Sequence, residues 1–143
     1  MFITQWGGYG PRDFGSVAAG APRSRLGLDA VREMGYPLTI PALTAITAEN
    51  LIHLGQLDAA AAEIAQDLGG AGETFIEPFA LTTRGYLRFL LGRHAEAEAD
   101  LRRVVQLGDD RGWHAPNATR GRLRLAELLA ATGRHDEALE LMD

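Results

Sequence analysis

The chain has 143 residues, 46% of them hydrophobic, and a formal net charge of −5 at pH 7. That length suits one domain with a real core, and the mild negative charge gives no reason to expect nucleic acid or an anionic membrane as a partner. With neither cysteine nor lysine in the sequence, a disulfide framework, a thiolate zinc site, a Walker A lysine and a Schiff-base lysine are all excluded.

No apolar run approaches the roughly 18 residues that span a bilayer. The opening MFITQWGGYGPRDFG lacks the basic start and apolar stretch of a secretory signal, and a cytoplasmic setting is expected. Ala and Leu dominate, and both are strong helix formers; β-branched and aromatic residues are sparse. The expected fold class is therefore all-α.

Residues 1–25 carry Gly7, Gly8, Gly10, Pro11, Gly15, Gly20 and Pro22 with no regular period, and read as a flexible N-terminal lead-in. From Leu26 the pattern is helical, and 26–143 reads as one helical-repeat domain. A short helix is predicted over 26–34, stopping at Gly35 before Pro37. The next runs from Pro41 to Leu54, and Gly55 ends it. Asp58 opens another that reaches about Leu68. A loop at 69–77 precedes a helix from Pro78 to Gly92, whose partner spans about 95–107. A second long link at 108–116 leads to helices at about 117–131 and 135–142. Tight corners thus alternate with longer links, which implies about three antiparallel helix pairs stacked side by side.

The corners repeat in detail. They read Leu54-Gly55-Gln56-Leu57-Asp58-Ala59-Ala60, Leu91-Gly92-Arg93-His94-Ala95-Glu96-Ala97 and Thr132-Gly133-Arg134-His135-Asp136-Glu137-Ala138. Glycine closes the first helix where the backbone turns left-handed. Acidic residues follow in the first turn of the second, where the helix dipole favours them. An alanine five residues after each glycine (Ala60, Ala97, Ala138) permits close helix approach.

This pattern resembles the tetratricopeptide repeat. The family's small residue before the corner matches Ala48, Gly85 and Ala126, and its large apolar residue in the second helix matches Ile64, Leu101 and Met142. The glycines stand 37 and 41 residues apart, against a family period of about 34. The usual aromatic early in the first helix is replaced by Thr44, Leu81 and Arg122, Arg84 replaces an expected Leu, and the terminal proline is missing from all three units. The resemblance implies a tetratricopeptide-like α-α superhelix with Leu51, Ile52, Ile64, Leu87, Leu101, Leu125 and Leu129 in its core. Over residues 40–143 the phrases LIHLGQLDAAAAEIAQDLGG, TTRGYLRFLLGRHAEAEADLRRV and GRLRLAELLAATGRHDEAL are also similar to the helical-repeat region of large LuxR-type ATPase transcriptional regulators. Those proteins join a nucleotide-binding ATPase module, a helical array and a C-terminal helix-turn-helix. This sequence has no GxxxxGK[ST] and no recognisable helix-turn-helix, so it corresponds to the array alone, with the last helix pair cut short at Asp143.

Chemistry is poorly supplied. Ser16 and Ser24 are the only serines, and neither lies in GxSxG. His94 and His135 sit at equivalent corners a repeat apart, His53 and His114 stand alone, and the local pairing of metal sites is missing. GGAGET at 69–74 has no lysine and reads as a link rather than a phosphate loop. Trp113 and His114, in the last link, are expected to fold back over helix ends. No cofactor, no metal and no enzymatic activity are expected.

Arginines are the candidates for function: ten of fourteen lie between 84 and 134. TRGYLRFL and TRGRLRLA share an Arg-Gly-x-Leu-Arg phrase that sets Arg84 with Arg88, and Arg120 with Arg124, four apart on one helix face. In tetratricopeptide arrays first helices line the concave wall, so these four are expected as a partner-binding strip for an acidic peptide or phosphate; the bland alternative is a set of solvated, ion-paired arginines. Two readings of function follow. One is a non-catalytic interaction scaffold acting as the sensor or relay segment of a LuxR-type regulator. The other is an independent adaptor that binds an acidic peptide. The partner in either case is protein or peptide, and apolar repeat ends open a route to self-association.

Overall fold

The computed structural model describes residues 17–37, 39–65, 76–111 and 116–143, with the backbone alone at 17–19 and 116–117. Regular structure in these residues is all α-helix. The helices are α1 (Val17–Met34), α2 (Thr39–His53), α3 (Leu57–Ile64), α4 (Glu77–Leu90), α5 (His94–Arg111), α6 (Pro116–Ala131) and α7 (His135–Met142). The chain divides into two compact units, Met1–Ile76 and Glu77–Asp143.

In the first unit α1 packs on α2, and α2 on α3. Ala21, Ser24, Leu28 and Val31 form the buried stripe of α1. The helix begins at Val17, earlier than the expected 26. Its period was hidden because Ala21 and Ser24, both small, carry the first turns of the stripe. Pro22, in the second turn, forfeits only one intrahelical hydrogen bond. Residues 1–16, the rest of the expected lead-in, lie outside the described residues, as do the 69–75 stretch and Trp113 and His114. All of α2 from Pro41 to Ile52 is buried.

In the second unit α4 packs on α5 and α6, α5 on α6, and α6 on α7. Its core is Ala97, Leu101, Leu125, Ala126, Leu128, Leu129 and Ala138, with Phe89, Val105, Ala130 and Leu141 packed around it. The seven core residues expected from the sequence are all buried, whereas Met142 is 53% exposed. Helix α5 runs through Gly108, where a link was expected to begin. Leu107 and Gly108 are buried and Asp109 accepts a hydrogen bond from Arg122 at 2.7 Å, which offsets the roughly 1 kcal/mol that glycine costs inside a helix.

Two glycines within helices bring them close. A Cβ on Gly85 of α4 would lie 2.8 Å from Leu101 Cγ, and one on Gly121 of α6 would lie 2.3 Å from Val104 Cγ1.

The corners share one hydrogen-bond scheme. Gly55, Gly92 and Gly133 have φ of 74°, 77° and 83°. Their N–H groups bond to the carbonyls of Ile52, Phe89 and Ala130 at 2.9, 3.0 and 3.1 Å. The next residues, Gln56, Arg93 and Arg134, donate to Leu51, Arg88 and Leu129 at 2.9, 2.8 and 2.8 Å. This is the Schellman closure. The same three residues then open the following helix, since their carbonyls accept from Ala60, Ala97 and Ala138 at 3.0, 3.0 and 3.1 Å. Gly35, φ 71°, ends α1 in the same manner.

Candidate functional site

The doubled Gly-Arg-His-x-Glu-Ala phrase builds a brace. Arg93 donates to both oxygens of Glu96 at 2.8 and 2.7 Å, and Arg134 donates to Glu137 at 2.9 Å. Each pair ties the start of the second helix to its first turn. His94 and His135 are exposed, and the His94 ring stands 5.6 Å from that of Phe89. Among the described residues no group of three or more histidines and carboxylates is placed to hold a metal ion. No helix among them is long and apolar enough to cross a membrane.

The four candidate arginines fall into two settings. Arg84 reaches Asp100 of α5 at two points, Nε to Oδ2 at 2.9 Å and Nη2 to Oδ1 at 2.7 Å. Arg88 donates to the same carboxylate at 2.6 Å and lies 3.6 Å from Glu96. Asp100 is buried, and its two arginines are about a quarter exposed, at 29% and 23%. The hydrogen bond to Asp100 holds the Arg84 guanidinium above its ordinary value, outweighing the opposing effect of burial. Arg124 is placed differently. Its guanidinium carbon lies 3.7 Å from the centre of the Tyr86 ring, a cation–π stack between α6 and α4, and its Nη1 donates to Glu127 at 2.8 Å. Arg120 is half-buried on the same helix.

The corner glycines explain the difference. Arg84 and Arg88 stand eight and four residues before Gly92; the residues eight and four before Gly133 are Leu125 and Leu129, not Arg120 and Arg124. The shared phrase is displaced by five residues, about 140° of helix rotation. Arg84 and Arg88 therefore occupy the face that α6 fills with core leucines.

Asp100, which draws the two arginines together, was not picked out in the sequence. A signal existed: it stands eight residues after Gly92, and Glu63 stands eight after Gly55. Glu63 is also buried, held by Arg25 at 2.6 Å and Arg32 at 3.0 Å. Both units thus bury a carboxylate at the same corner position under two guanidinium groups. Charge-assisted bonds of this kind are the form in which a buried carboxylate is tolerated.

A second ionic cluster joins α5 to the last corner and α7. Glu98 accepts from Arg102 at 2.8 Å and from Arg134 at 2.9 Å, while Glu137 accepts from Arg134 and Arg102. Burial pushes the Glu98 carboxyl up, but hydrogen bonds from Arg102 and Arg134 prevail and hold it below the ordinary range. Glu137 is held low by Arg102 and then Arg134.

These α-hairpins, closed by one repeated corner, make a tetratricopeptide-like helical repeat. The sequence pattern of the tetratricopeptide repeat matches residues 119–143, the α6–α7 hairpin. No curated protein and no solved structure matches the chain. Tetratricopeptide repeats generally mediate protein–protein interaction and are typically non-enzymatic.

Proposed function

We propose that the chain is a non-catalytic helical-repeat scaffold, with a helical-repeat domain beginning at α1, that serves in the cytoplasm as the relay segment of a LuxR-type ATPase regulator. The observation that carries the scaffold reading is the recurrence of one corner, down to the residue that serves both helices. The regulator reading rests on the corner phrases over 40–143. Sequencing the flanking genomic DNA tests it. Upstream frames with a Walker A motif and downstream frames with a helix-turn-helix are expected; unrelated neighbours would end the regulator assignment.

A second reading is favoured by one contact. Arg84 and Arg88 hold the buried Asp100, whereas Arg124 lies over Tyr86 and bonds the more exposed Glu127 at 2.8 Å, with Arg120 one turn away. An acidic peptide there would compete with Glu127 for Arg124 and meet an aromatic face beside it. In a pull-down with an acidic peptide, Arg120→Glu with Arg124→Glu should abolish capture. Retained capture would remove this reading.

A further inference from the structure

Each hairpin buries one residue five places before its corner glycine, and the first hairpin differs from the others in what it puts there. Leu87 and Leu128 hold that place before Gly92 and Gly133; before Gly55 it is held by Asn50. Asn50 is fully buried, and its Nδ2 donates to Ser24 Oγ of α1 at 3.4 Å, beyond the usual length of such a bond. Its Oδ1 has no hydrogen-bond partner among the described residues. Ser24 Oγ in turn donates to the Ala21 carbonyl of its own helix at 3.0 Å. The seat of α1 on α2 is therefore polar and only partly satisfied, where the other hairpins carry leucine. Helix α1 is weak in other respects. It contains Gly20, Pro22 and Gly27, the residue types least favoured inside a helix. Among its described side chains only Leu28 and Val31 are both large and buried apolar groups, and two such groups return less than the entropy lost in ordering a helix of 18 residues.

The remaining hold on α1 is ionic. Arg25 and Arg32 reach Glu63 of α3 at 2.6 and 3.0 Å, and the Glu63 side chain is 3% exposed. Arg32 has a second carboxylate at hand in Asp29 of its own helix, 3.9 Å away and 59% exposed. A grip of this kind can be released, because charges that part into water regain their hydration and Arg32 keeps a partner in Asp29. Exposed Gly35, with its φ of 71°, ends α1 and gives the chain a place to bend. We propose that α1 is a releasable strap. It lifts from α2 and α3 while those two helices stay folded, and the Arg25–Glu63–Arg32 contact is its latch. Lifting parts Asn50 and Glu63, a neutral acceptor and a carboxylate, from their α1 partners. The device lies within the first unit and does not depend on what Tyr86 and Arg124 bind.

Native-state amide hydrogen exchange of the full chain, read peptide by peptide by mass spectrometry, tests the strap. Amides of α1 should exchange at least about tenfold faster than those of α2, because a local opening costs less than unfolding the unit. Gly55→Ala strains the left-handed corner between α2 and α3, which α1 does not share. It should speed exchange in α2 by about fivefold and leave α1 unchanged. Glu63→Gln weakens the latch and should speed α1 by about tenfold. Asn50→Leu with Ser24→Ala gives α1 an apolar seat and should slow its exchange by about tenfold; this variant decides the matter if Glu63→Gln prevents folding. Equal exchange in α1 and α2 of the original chain overturns the proposal, since the unit then opens only as a whole. So does a Gly55→Ala chain in which α1 and α2 speed up alike, or an α1 rate that neither Glu63→Gln nor the double substitution moves.

Discussion

Arg84 on α4 and Leu125 on α6 hold the same position relative to their corner glycines, yet Arg84 grips a buried carboxylate and Leu125 is sealed in the apolar cluster. One hairpin thus closes ionically where the other closes with hydrocarbon. Buried ion pairs seldom stabilise more than well-packed apolar residues do, since both charges must be stripped of water. Converting Arg84, Arg88 and Asp100 together to Leu should therefore leave stability unchanged or raise it by about 1–4 kcal/mol. Asp100→Leu alone should cost about 3 kcal/mol, toward the lower end of such losses because the stranded guanidinium groups keep some water. Urea denaturation of the two variants decides the sign.

Gly121 and Val104 leave no room for a methyl group. Gly121→Ala should destabilise the chain by about 2 kcal/mol despite alanine's better helix propensity, as overpacking does. Val104→Ala in the same chain should recover part of that loss. A double-mutant cycle read by chemical denaturation measures the coupling; simple additivity would contradict the contact.

Helix α2 buries hydroxyl groups at a cost. Among the described residues, Thr44 Oγ1 and Thr47 Oγ1 have no hydrogen-bond partner, unlike Thr82, which donates to the carbonyl of Pro78 at 2.7 Å. Thr44→Val and Thr47→Val should each stabilise by about 1 kcal/mol, the penalty of an unsatisfied buried hydroxyl. Thr82→Val should not stabilise. Melting temperatures of the three variants provide the comparison.

The cluster of Glu98, Arg102, Arg134 and Glu137 responds to acid. Both carboxyls titrate lower in the folded chain than in the unfolded one, so the unfolded state binds protons first as pH falls. Their contribution is complete above the ordinary carboxylate range and is lost as pH falls through the depressed folded values; the arginines stay charged throughout. Melting temperature should decline on acidification, and Glu98→Gln should make that decline shallower. Carboxyl NMR titration of Glu98 should show a midpoint below the ordinary range.

Much of the fold was legible because glycine punctuates it. Gly55, Gly92 and Gly133 placed the corners, and the leucine period placed the core. Where prolines and glycines lay inside helices, local signals misled: Gly20 and Pro22 concealed the start of α1, and Gly108 concealed the end of α5, because packing outweighed their intrinsic cost. The arginines show a different difficulty. Arg-Gly-x-Leu-Arg occurs twice, but a phrase carries no helix phase by itself. Only its distance from the corner shows that Arg84 faces Asp100 while Arg124 reaches Tyr86. Asp100 needed the comparison with Glu63 to stand out among the other acids.

Gln56, Arg93 and Arg134 each finish one helix with the N–H and start the next with the carbonyl. Such a joint has no slack. One inserted residue would swing the following helix by about 100° and carry its apolar stripe into water. Length changes during descent are thereby steered away from these joints and into the spans between hairpins. The unequal intervals of 37 and 41 residues between corner glycines fit that constraint, and the spans between hairpins are where new sequence can be accepted without unseating a helix.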